Sequence, residues 1–534
     1  MSGSLRCNHL RWASVFHADC NILVIGDGDL SYALSLARSL FQTNDFVHNG
    51  SLIATTFDPI DTLHKKYSNV DDILKELNEF EHVETYHDID GTNIRTSLDN
   101  AGWNNNNIDK PFERIIWNFP HAGGKNFILK NRKLMLDFFH SADELLTLDK
   151  DSGIFVTLAC AQGGTDFEIN HVPDDIQKGT KKPFKREYSD HWRIVEQGGS
   201  AGLYLRDIMF FNPPESYRPR GYRDVLQSAH KGFRTNYSVT HCFSKYIELS
   251  KSDASSRFDS LFKSVYEQFK NNFEDFKCDT SISFHLKEEY SLPNLPYELP
   301  FTIPYLEHIM EIIFPKSLDI LEIKNMIRKS ILSFVKEDDN LENWKELSSM
   351  NSLILSYYTN SKYYKNDKLI DYKIGEFIED NDNIIWKCSL EHIILCSLKS
   401  DEIRWFGSRN IKAIESLEDQ IHQSLFHDSI DFCFKEPVLF SPLLSYDVSF
   451  WLPENQTQLN TNELGKSILS WDNSSLVCGV KLVDRYEMNP SKISECYRIS
   501  YQQLDGALHS EQAKDIHSKF SEHLGKTLNL KLRS

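Results

Sequence analysis

The chain has 534 residues, a net charge of −18 and 40% hydrophobic residues. This length predicts three or four domains, and the negative charge argues against indiscriminate binding of nucleic acid. No run is apolar enough to span a bilayer, and the ten cysteines form neither a C-x-x-C pair nor a zinc spacing with histidine. We therefore expect an intracellular protein with reduced thiols, no metal site and no membrane partner.

The most informative stretch is residues 21–40, where an apolar run breaks at Gly26, Asp27 and Gly28 and gives way to helical periodicity. Glycines allow a tight turn and close backbone approach, and the following helix is expected to offer free N–H groups to a nucleotide-type cofactor. Two of the three glycines of a dinucleotide motif are present, and Ser31 stands where the third would be. An ordinary strand–turn–helix unit explains the pattern equally well.

Asp58 follows the second predicted strand, residues 51–57, and Asp88 and Asp90 lie at the end of the next predicted stretch, residues 83–90. Asp58 could accept hydrogen bonds from both ribose hydroxyls of an adenosine, and Asp88 or Asp90 could meet an adenine amino group. The interval from the glycines to Asp58 exceeds the roughly 20 residues usual in NAD-binding folds, which argues against that cofactor. For each Asp taken singly, ordinary turn chemistry is the alternative.

A fourth strand and its exit are predicted over residues 112–121, ending in Asn118, Phe119, Pro120 and His121. An Asn amide can bond ring nitrogens of a planar base while Phe119 stacks on it, and His121 could act as a general base. The alternative is a strand end with a proline stop, a core Phe and a capping His. With a fifth strand at 151–158, the alternation of strands and helices predicts an α/β, doubly wound sheet.

Two basic segments interleave cations with aromatic residues, at 178–186 and 218–234. Cations can neutralise phosphates while rings stack on splayed bases, although such runs are also typical of solvated loops. The candidate RNA-binding residues in them are Lys181, Lys182, Lys185, Arg186, Arg220 and Arg234.

Four motifs, at 22–32, 118–124, 131–132 and 217–222, resemble the large-subunit ribosomal-RNA uridine-N(3) methyltransferase family over residues 15–250. The resemblance implies a Rossmann-type domain that transfers methyl from S-adenosylmethionine to a uracil nitrogen in RNA. It implies that Gly26, Asp27, Gly28 and Asp58 hold the cofactor and that residues 118–121 face the base. The run 223–226 departs from the family pattern.

Residues 440–534 read strand, helix, strand, strand, helix, strand, with two-residue alternation in each strand, the last one at Leu528, Leu530 and Leu532. This predicts a ferredoxin-like α+β domain covered on one face. Its second helix has an apolar stripe, with Ser510 as N-cap; the stripe consists of Ala513, Ile516, Phe520 and Leu524. The region resembles the ferredoxin-fold anticodon-binding domain of phenylalanyl-tRNA synthetases. The resemblance implies tRNA contact through Arg498, or more weakly through Arg485, unless these arginines are merely solubilising.

The middle, residues 280–430, is predicted to be mixed but rich in α-helix. An isoleucine repeat from Ile320 to Phe334 predicts one helix, and residues 302–314 are a second helix candidate. A proline-rich boundary lies at 291–300. Residues 403–408 resemble the fragment that closes the synthetase catalytic core, so this region is a candidate synthetase-core remnant.

Both modules in this order resemble the animal family of ferredoxin-fold anticodon-binding domain-containing proteins. Three hypotheses follow: a methyltransferase that acts on rRNA or tRNA, a non-catalytic RNA-binding adaptor with a vestigial cofactor fold, and a phenylalanyl-tRNA synthetase. The expected compartment is the cytoplasm or nucleolus. Arg6 and Arg11 without an acid in the first 18 residues leave a mitochondrial presequence as the alternative.

Overall fold

The structure is a computed structural model. It describes residues 15–42, 49–103, 111–123, 128–170, 190–217, 235, 237–271, 281–287, 298–299, 307–317, 319–335, 344–347, 352–358, 369–379, 382–398, 400, 403–426, 434–454, 456–489 and 492–533. The chain divides into two compact units. Unit 1 is Met1–Tyr246 with Val438–Ser441, and unit 2 is Ile247–Pro437 with Pro442–Ser534.

Unit 1 alternates strands and helices through most of its length. Its strands are β1 (Ile22–Ile25), β2 (Leu52–Thr55), β3 (Val83–Tyr86), β4 (Arg114–Asn118), β5 (Gly153–Leu158), β6 (Leu203–Phe210) and β7 (Val239–Lys245). Its described helices are α1 (Ser31–Phe41), α2 (Ile60–Lys66), α3 (Val70–Leu77), α4 (Ile94–Asn100), α5 (Ile128–Asp143), α6 (Asp166–Asn170) and α7 (Ile194–Ser200).

The seven strands of unit 1 form one sheet in the order β3-β2-β1-β4-β5-β7-β6. The first five are parallel, and β7 is antiparallel to both of its neighbours. This confirms the predicted doubly wound sheet. Ile22 and Val24 pack with α1, whereas the ring of Trp117 contacts Phe138 on α5 at 4.6 Å. Alternate residues therefore bury helices on both faces, and the loops at the carboxyl ends of the strands are left to form a site.

Unit 2 contains two antiparallel sheets. Its strands are β8 (Ser281–Lys287), β9 (Glu298–Leu299), β10 (Glu307–Pro315), β11 (Trp344–Leu347), β12 (Ser352–Tyr358), β13 (Leu369–Glu379), β14 (Asn383–Ser389), β15 (Leu444–Trp451), β16 (Val477–Asn489), β17 (Lys492–Tyr501) and β18 (Lys531–Leu532). Its described helices are α8 (Lys251–Asn271), α9 (Ile320–Val335), α10 (Leu390–Leu398), α11 (Ile411–Phe426), α12 (Thr461–Leu469) and α13 (Ser510–Thr527), with 3₁₀ turns at Ile403–Gly407 and Ser474–Leu476.

The middle region is built on a six-stranded sheet in the order β11-β12-β13-β14-β10-β8. It therefore holds more β-structure than the sequence predicted. The predicted helix at 302–314 is wrong, because β10 occupies Glu307–Pro315 and buries Met310, Ile312 and Phe314 at two-residue spacing. The helix predicted from the isoleucine repeat is confirmed as α9, which buries Ile323, Ile327 and Ile331.

The carboxyl-terminal region has the predicted order of strands and helices, from β15 to β18. Its sheet runs β18-β15-β17-β16-β9, and the four residues of the predicted α13 stripe are all buried. Two details differ from the prediction. The N-cap of α13 is His509 rather than Ser510, because the His509 ring accepts the Gln512 N–H at 3.3 Å. Leu532, predicted to alternate into the core, is 45% exposed.

Within the described residues, no helix combines the length and apolar character that crossing a membrane requires. The sequence-predicted boundaries at 15–250, 280–430 and 440–534 stay predictions, since the middle and carboxyl-terminal sheets fall within a single compact unit.

Candidate active site at the carboxyl edge of the first sheet

The turn after β1 requires glycine at its first position. Gly26 has a φ of +61°, and a Cβ there would lie 3.0 Å from Nε1 of Trp117. Its N–H donates to the Thr55 hydroxyl at 3.2 Å, and that hydroxyl donates to the Val24 carbonyl at 2.9 Å. A side chain at Gly26 would therefore be strained and would collide with the indole. The turn sits directly above the paired ends of β1, β2 and β4.

The two acids of the turn cap helix α1. The Ala33 N–H donates to Oδ2 of Asp27 at 2.7 Å, and the Ser31 N–H donates to Oδ1 of Asp29 at 3.1 Å. The expectation that this helix offers free N–H groups is therefore wrong at these two positions, because the chain's own carboxylates satisfy them. An anionic pyrophosphate would meet two carboxyl groups here instead of open donors.

The same two acids make the turn electronegative. Asp27 is half-buried as a residue. Burial of its carboxylate, and then repulsion from Asp29, raise its pKa to about 8, whereas hydrogen bonds from the Ala33 and Tyr32 N–H groups act to lower it. Asp29 is 4% exposed, and its Oδ2 has no hydrogen-bond partner in the described part of the chain. Burial and the charges of Asp27 and Asp29 raise the pKa of Tyr217 as well. This cluster favours a bound cation.

The predicted ribose and adenine residues lie along the same edge of the sheet, after β2 and β3. Asp58 accepts two hydrogen bonds from Lys66 Nζ, at 2.8 and 2.6 Å. Asp88 is exposed with a φ of 62°, and Asp90 is exposed and accepts the backbone and hydroxyl of Thr92 at 2.8 Å each. These acids share one edge, but Asp58 is already neutralised by an ion pair.

The predicted target loop begins at the end of β4. Oδ1 of Asn118 accepts a hydrogen bond from the Thr157 hydroxyl at 2.6 Å, and the Phe119 N–H donates to the Thr157 carbonyl at 2.8 Å. Phe119 has a φ of 54°, the left-handed region that non-glycine residues rarely adopt, and Pro120 is buried. Such local strain is often found at functional sites.

His121 is exposed, and its Nδ1 accepts the Gly123 N–H at 2.8 Å. In a neutral imidazole with that bond, the proton resides on Nε2. Neither nitrogen then offers a free lone pair, so this geometry does not present His121 as a general base. The loop is held from α5 by Asn131, whose buried side chain accepts the Ala122 N–H at 2.8 Å.

A series of aromatic ring contacts joins the Asn118 loop to the Gly26 turn. The Phe119 ring meets Phe211 edge-on at 5.3 Å, and Phe211 stacks with Tyr32 of α1 at 6.2 Å. Tyr217 contacts both Tyr32 and Phe211, at 5.7 and 6.1 Å. The structure therefore brings the Gly26 turn and the Asn118 loop together at one edge of the sheet.

The predicted RNA-binding residues fall into two groups. Those of the two basic segments lie outside the described residues; they are Lys181, Lys182, Lys185, Arg186, Arg220 and Arg234. Arg498 is exposed on β17 and forms two hydrogen bonds with Asp447, at 2.8 and 2.9 Å, which lower the pKa of Asp447. Arg485 of β16 pairs in register with Glu495 of β17. Because Glu495 is three residues from Arg498 along β17, Arg485 lies on the face of the sheet opposite to Arg498.

Several residues at this edge were given no individual role from the sequence, although Asp29 and Tyr217 lie within the motifs at 22–32 and 217–222. They are Asp29, Trp117, Thr157, Tyr217 and Thr240. The role of Asp29 could have been predicted, because an Asp just before a helix commonly caps its N-terminus. The other four owe their place to strand pairing and loop packing, which no local pattern shows.

A family model matches residues 23–223; its description is rRNA (uridine-N3-)-methyltransferase, BMT5-like. The match lies in the N-terminal half of the chain. A yeast 25S rRNA (uridine(2634)-N(3))-methyltransferase, from Saccharomyces cerevisiae, is 25% identical over 46% of this chain and 79% of its own length. Strands β2 to β6 lie within the matched residues, and β7 follows them in the chain.

Other relatives match different parts of the chain. The mouse ferredoxin-fold anticodon-binding domain-containing protein 1 homolog is 30% identical over 42% of this chain and 31% of its own length. An Arabidopsis thaliana chloroplastic/mitochondrial phenylalanine–tRNA ligase is 32% identical over 18% of this chain and 23% of its own. The chain spans less than a third of the length of the animal relatives that it matches.

A solved structure of the trans-methyltransferase CalH in complex with SAH is 13% identical and covers 42% of this chain and 51% of its own, with a TM-score of 0.24.

Proposed function

We propose that residues 15–250 transfer a methyl group from S-adenosylmethionine to N3 of a uridine in rRNA or tRNA, and that residues 440–534 contact tRNA. The observation that carries this proposal is the acidic turn after β1, which lies beside the strained Asn118 loop. A cation site next to a loop that presents an amide and an aromatic ring suits a sulfonium cofactor and a planar base. The similarity to uridine-N3 methyltransferases supports the same chemistry.

The residues of the turn fit this cofactor. Asp27 and Asp29 suit the ammonium group of its methionine part, whereas they would repel the pyrophosphate of a dinucleotide. Gly26 and Gly28 permit close backbone approach. Asp58 would accept hydrogen bonds from the ribose hydroxyls only after its bond from Lys66 breaks. When bound, S-adenosylmethionine supplies an electrophilic methyl group on a sulfonium.

The chain's own residues would chiefly orient the base. The imide nitrogen has to lose its proton before it attacks, and the Nδ1 bond of His121 leaves solvent as the acceptor of that proton. Asn118 and Phe119, fixed through Thr157, position the ring. Holding two reactants in line can contribute several kcal/mol, on the order of 7–11 in favourable cases, without a catalytic base.

The test is calorimetric titration of the full chain with S-adenosylmethionine, followed by methylation of total RNA with the labelled cofactor and analysis of its nucleosides. We expect binding and the appearance of N3-methyluridine. Gly28→Arg should abolish binding, because a Cβ there already lies 3.0 Å from the Tyr67 hydroxyl. A second variant, Asp27→Asn, is used in the pH titrations below. Its matched control is Asp151→Asn, an exposed change before β5 at the opposite edge. Wild-type protein that binds no cofactor would refute the proposal.

Proton release provides a second readout of the same site. Burial and Asp29 raise the pKa of Asp27 to about 8, so near pH 6.5 this acid is largely protonated. A bound cation lowers that pKa again, and binding should then release up to about one proton and tighten as the pH rises toward 8. Titrations in buffers of different ionisation enthalpy measure this release. Asp27→Asn should bind without it.

A second candidate function is an RNA-binding adaptor whose cofactor fold no longer works. The observation that favours it is the Asp58–Lys66 ion pair, which occupies the expected ribose carboxylate. RNA crosslinking to a chain that fails the cofactor titration would select this candidate. The synthetase-core remnant in the middle region and the cytoplasmic or nucleolar location stay predictions, and phenylalanine-dependent ATP–pyrophosphate exchange would be needed to support a synthetase.

A further inference from the structure

Three polar residues form one cross-strand row at the carboxyl end of the unit 1 sheet. Asn118 of β4 is in register with Thr157 of β5, and Thr157 is in register with Thr240 of β7. Thr157 and Thr240 are 1% and 8% exposed. Residues in register on neighbouring strands present their side chains on the same face, so the row is a built feature of the sheet.

The single proton of each threonine hydroxyl fixes the direction of the hydrogen bonds in this row. A threonine hydroxyl has one proton, and that of Thr157 is donated to Oδ1 of Asn118 at 2.6 Å. The 2.9 Å contact between the two threonine hydroxyls must then be donated by Thr240. The Asn118 amide oxygen is thereby held inward. Its Nδ2 is buried and has no hydrogen-bond partner among the residues that the structure describes.

We propose that Thr157, backed by Thr240, is a positioning residue that aims the Asn118 NH₂ group at the C4 carbonyl oxygen beside the reacting nitrogen. The inference rests on the proposed function and deepens it, since it assigns the recognition of an imide. Uracil N3 lies between two carbonyls, whereas cytosine N3 lies between a carbonyl and an amino group. A donor at the amino side would be left unpaired, which disfavours cytosine.

The chemistry gives the donor a role in rate as well. As the N3 proton leaves to solvent, negative charge spreads onto the flanking oxygens, where a fixed N–H stabilises it. The nitrogen electron pair then forms the N–CH₃ bond while the C–S pair returns to sulfur as a thioether. The same amide turned with its oxygen outward would repel that charge.

The rate test compares Thr157→Val, which removes only the hydroxyl, with Thr157→Ser, which restores it. We expect Thr157→Val to lower kcat on the order of 10- to 100-fold with unchanged cofactor affinity, and to shift the alkaline rise of the rate to higher pH. Thr157→Ser should stay close to wild type. Thr147→Val is the matched control: unlike that of Thr157, its hydroxyl has no hydrogen-bond partner within the described chain, and it precedes β5 at the opposite edge. An unchanged kcat and pH profile in Thr157→Val would overturn the proposal.

A binding test does not depend on turnover. Full-length protein with S-adenosylhomocysteine is titrated with oligouridylate and oligocytidylate of equal length, and anisotropy gives the affinity ratio. Wild type should prefer oligouridylate several-fold, and Thr157→Val should lose that preference while Thr147→Val keeps it. Equal affinities in wild type, or a preference that survives in Thr157→Val, would refute the positioning role. Absence of methyl transfer with this preference intact would refute only the proposed activity.

Discussion

The buried pair of Glu168 and His241 offers a sharp test of what holds the carboxyl edge together. Both side chains are fully buried, with Glu168 Oε2 3.5 Å from His241 Nε2. The carboxylate also accepts the Gly163 N–H at 3.0 Å, and the Thr165 N–H and hydroxyl at 3.1 and 3.0 Å. Burial by itself would raise the pKa of Glu168, but His241 and these donors lower it overall. Glu168 is therefore a buried, fully bonded carboxylate.

Glu168→Gln keeps the shape but removes the charge and replaces one acceptor with a donor. The amide NH₂ then faces a backbone N–H or the imidazole, and the carboxylate that lies 3.5 Å from His241 Nε2 is lost. Removing one partner of a buried pair typically costs about 3–5 kcal/mol, a large part of the stability of a single domain. We expect this loss in the unfolding transition of unit 1.

Urea unfolding of the full chain across pH measures the effect. Because the pKa of Glu168 is lowered in the folded state, its contribution is fully present above the unfolded value of about 4.3 and is lost as the pH falls through the folded pKa. The gap between wild type and Glu168→Gln should thus be largest near neutral pH and shrink below about pH 4. A gap under about 0.5 kcal/mol at neutral pH, or one that widens on acidification, would refute the reasoning.

The described contacts support three further tests. Gly163→Ala should destabilise unit 1, because its Cβ would lie 2.5 Å from Glu168 Oε2, whereas Gly407→Ala meets nothing within 4 Å and should be neutral in the same thermal melts. Phe520→Ala should cost about 3–5 kcal/mol by urea unfolding, since this ring is fully buried against Trp471 at 4.8 Å. Asp447→Asn should strengthen binding of tRNA in filter assays by freeing Arg498, and Arg498→Ala should weaken it; equal affinities would exclude Arg498 from the RNA surface.

The parts of the fold that the sequence predicted correctly rest on short-range periodicity. The apolar runs that became β1, β2 and β5 are flanked by turn residues, and the α13 stripe repeats at helical spacing over about three turns. The error at β10 has the same origin. Its Ile-Met-Glu-Ile-Ile stretch has apolar residues at both two- and three-to-four-residue spacings, so only pairing with β8 and β14 decides for a strand.

The site was predictable only where its residues are neighbours along the chain. The glycine turn and the Asn118 loop each occupy a few consecutive residues, and strand order places both at one edge. Thr157 is 39 residues from Asn118, and Thr240 is a further 83 residues away. Glu168 meets His241 only because β7 returns antiparallel beside β5. Such contacts depend on which strands pair, and local composition carries no information about that.

The order of the strands also explains why cofactor and target residues form separate hydrogen-bond networks, although aromatic contacts join the two loops. The sheet extends from β1 toward β2 and β3 on one side and toward β4, β5 and β7 on the other, so the loops after β1 and β4 diverge at a topological switch point. The Gly26 turn and its acids belong to the first side, and the Asn118 row belongs to the second. Trp117 stands between them: a Cβ at Gly26 would meet its indole at 3.0 Å and one at Gly91 at 2.9 Å. Because no described hydrogen bond joins the Thr157 row to Asp27 or Asp29, a change in the row can alter the rate while leaving cofactor binding intact.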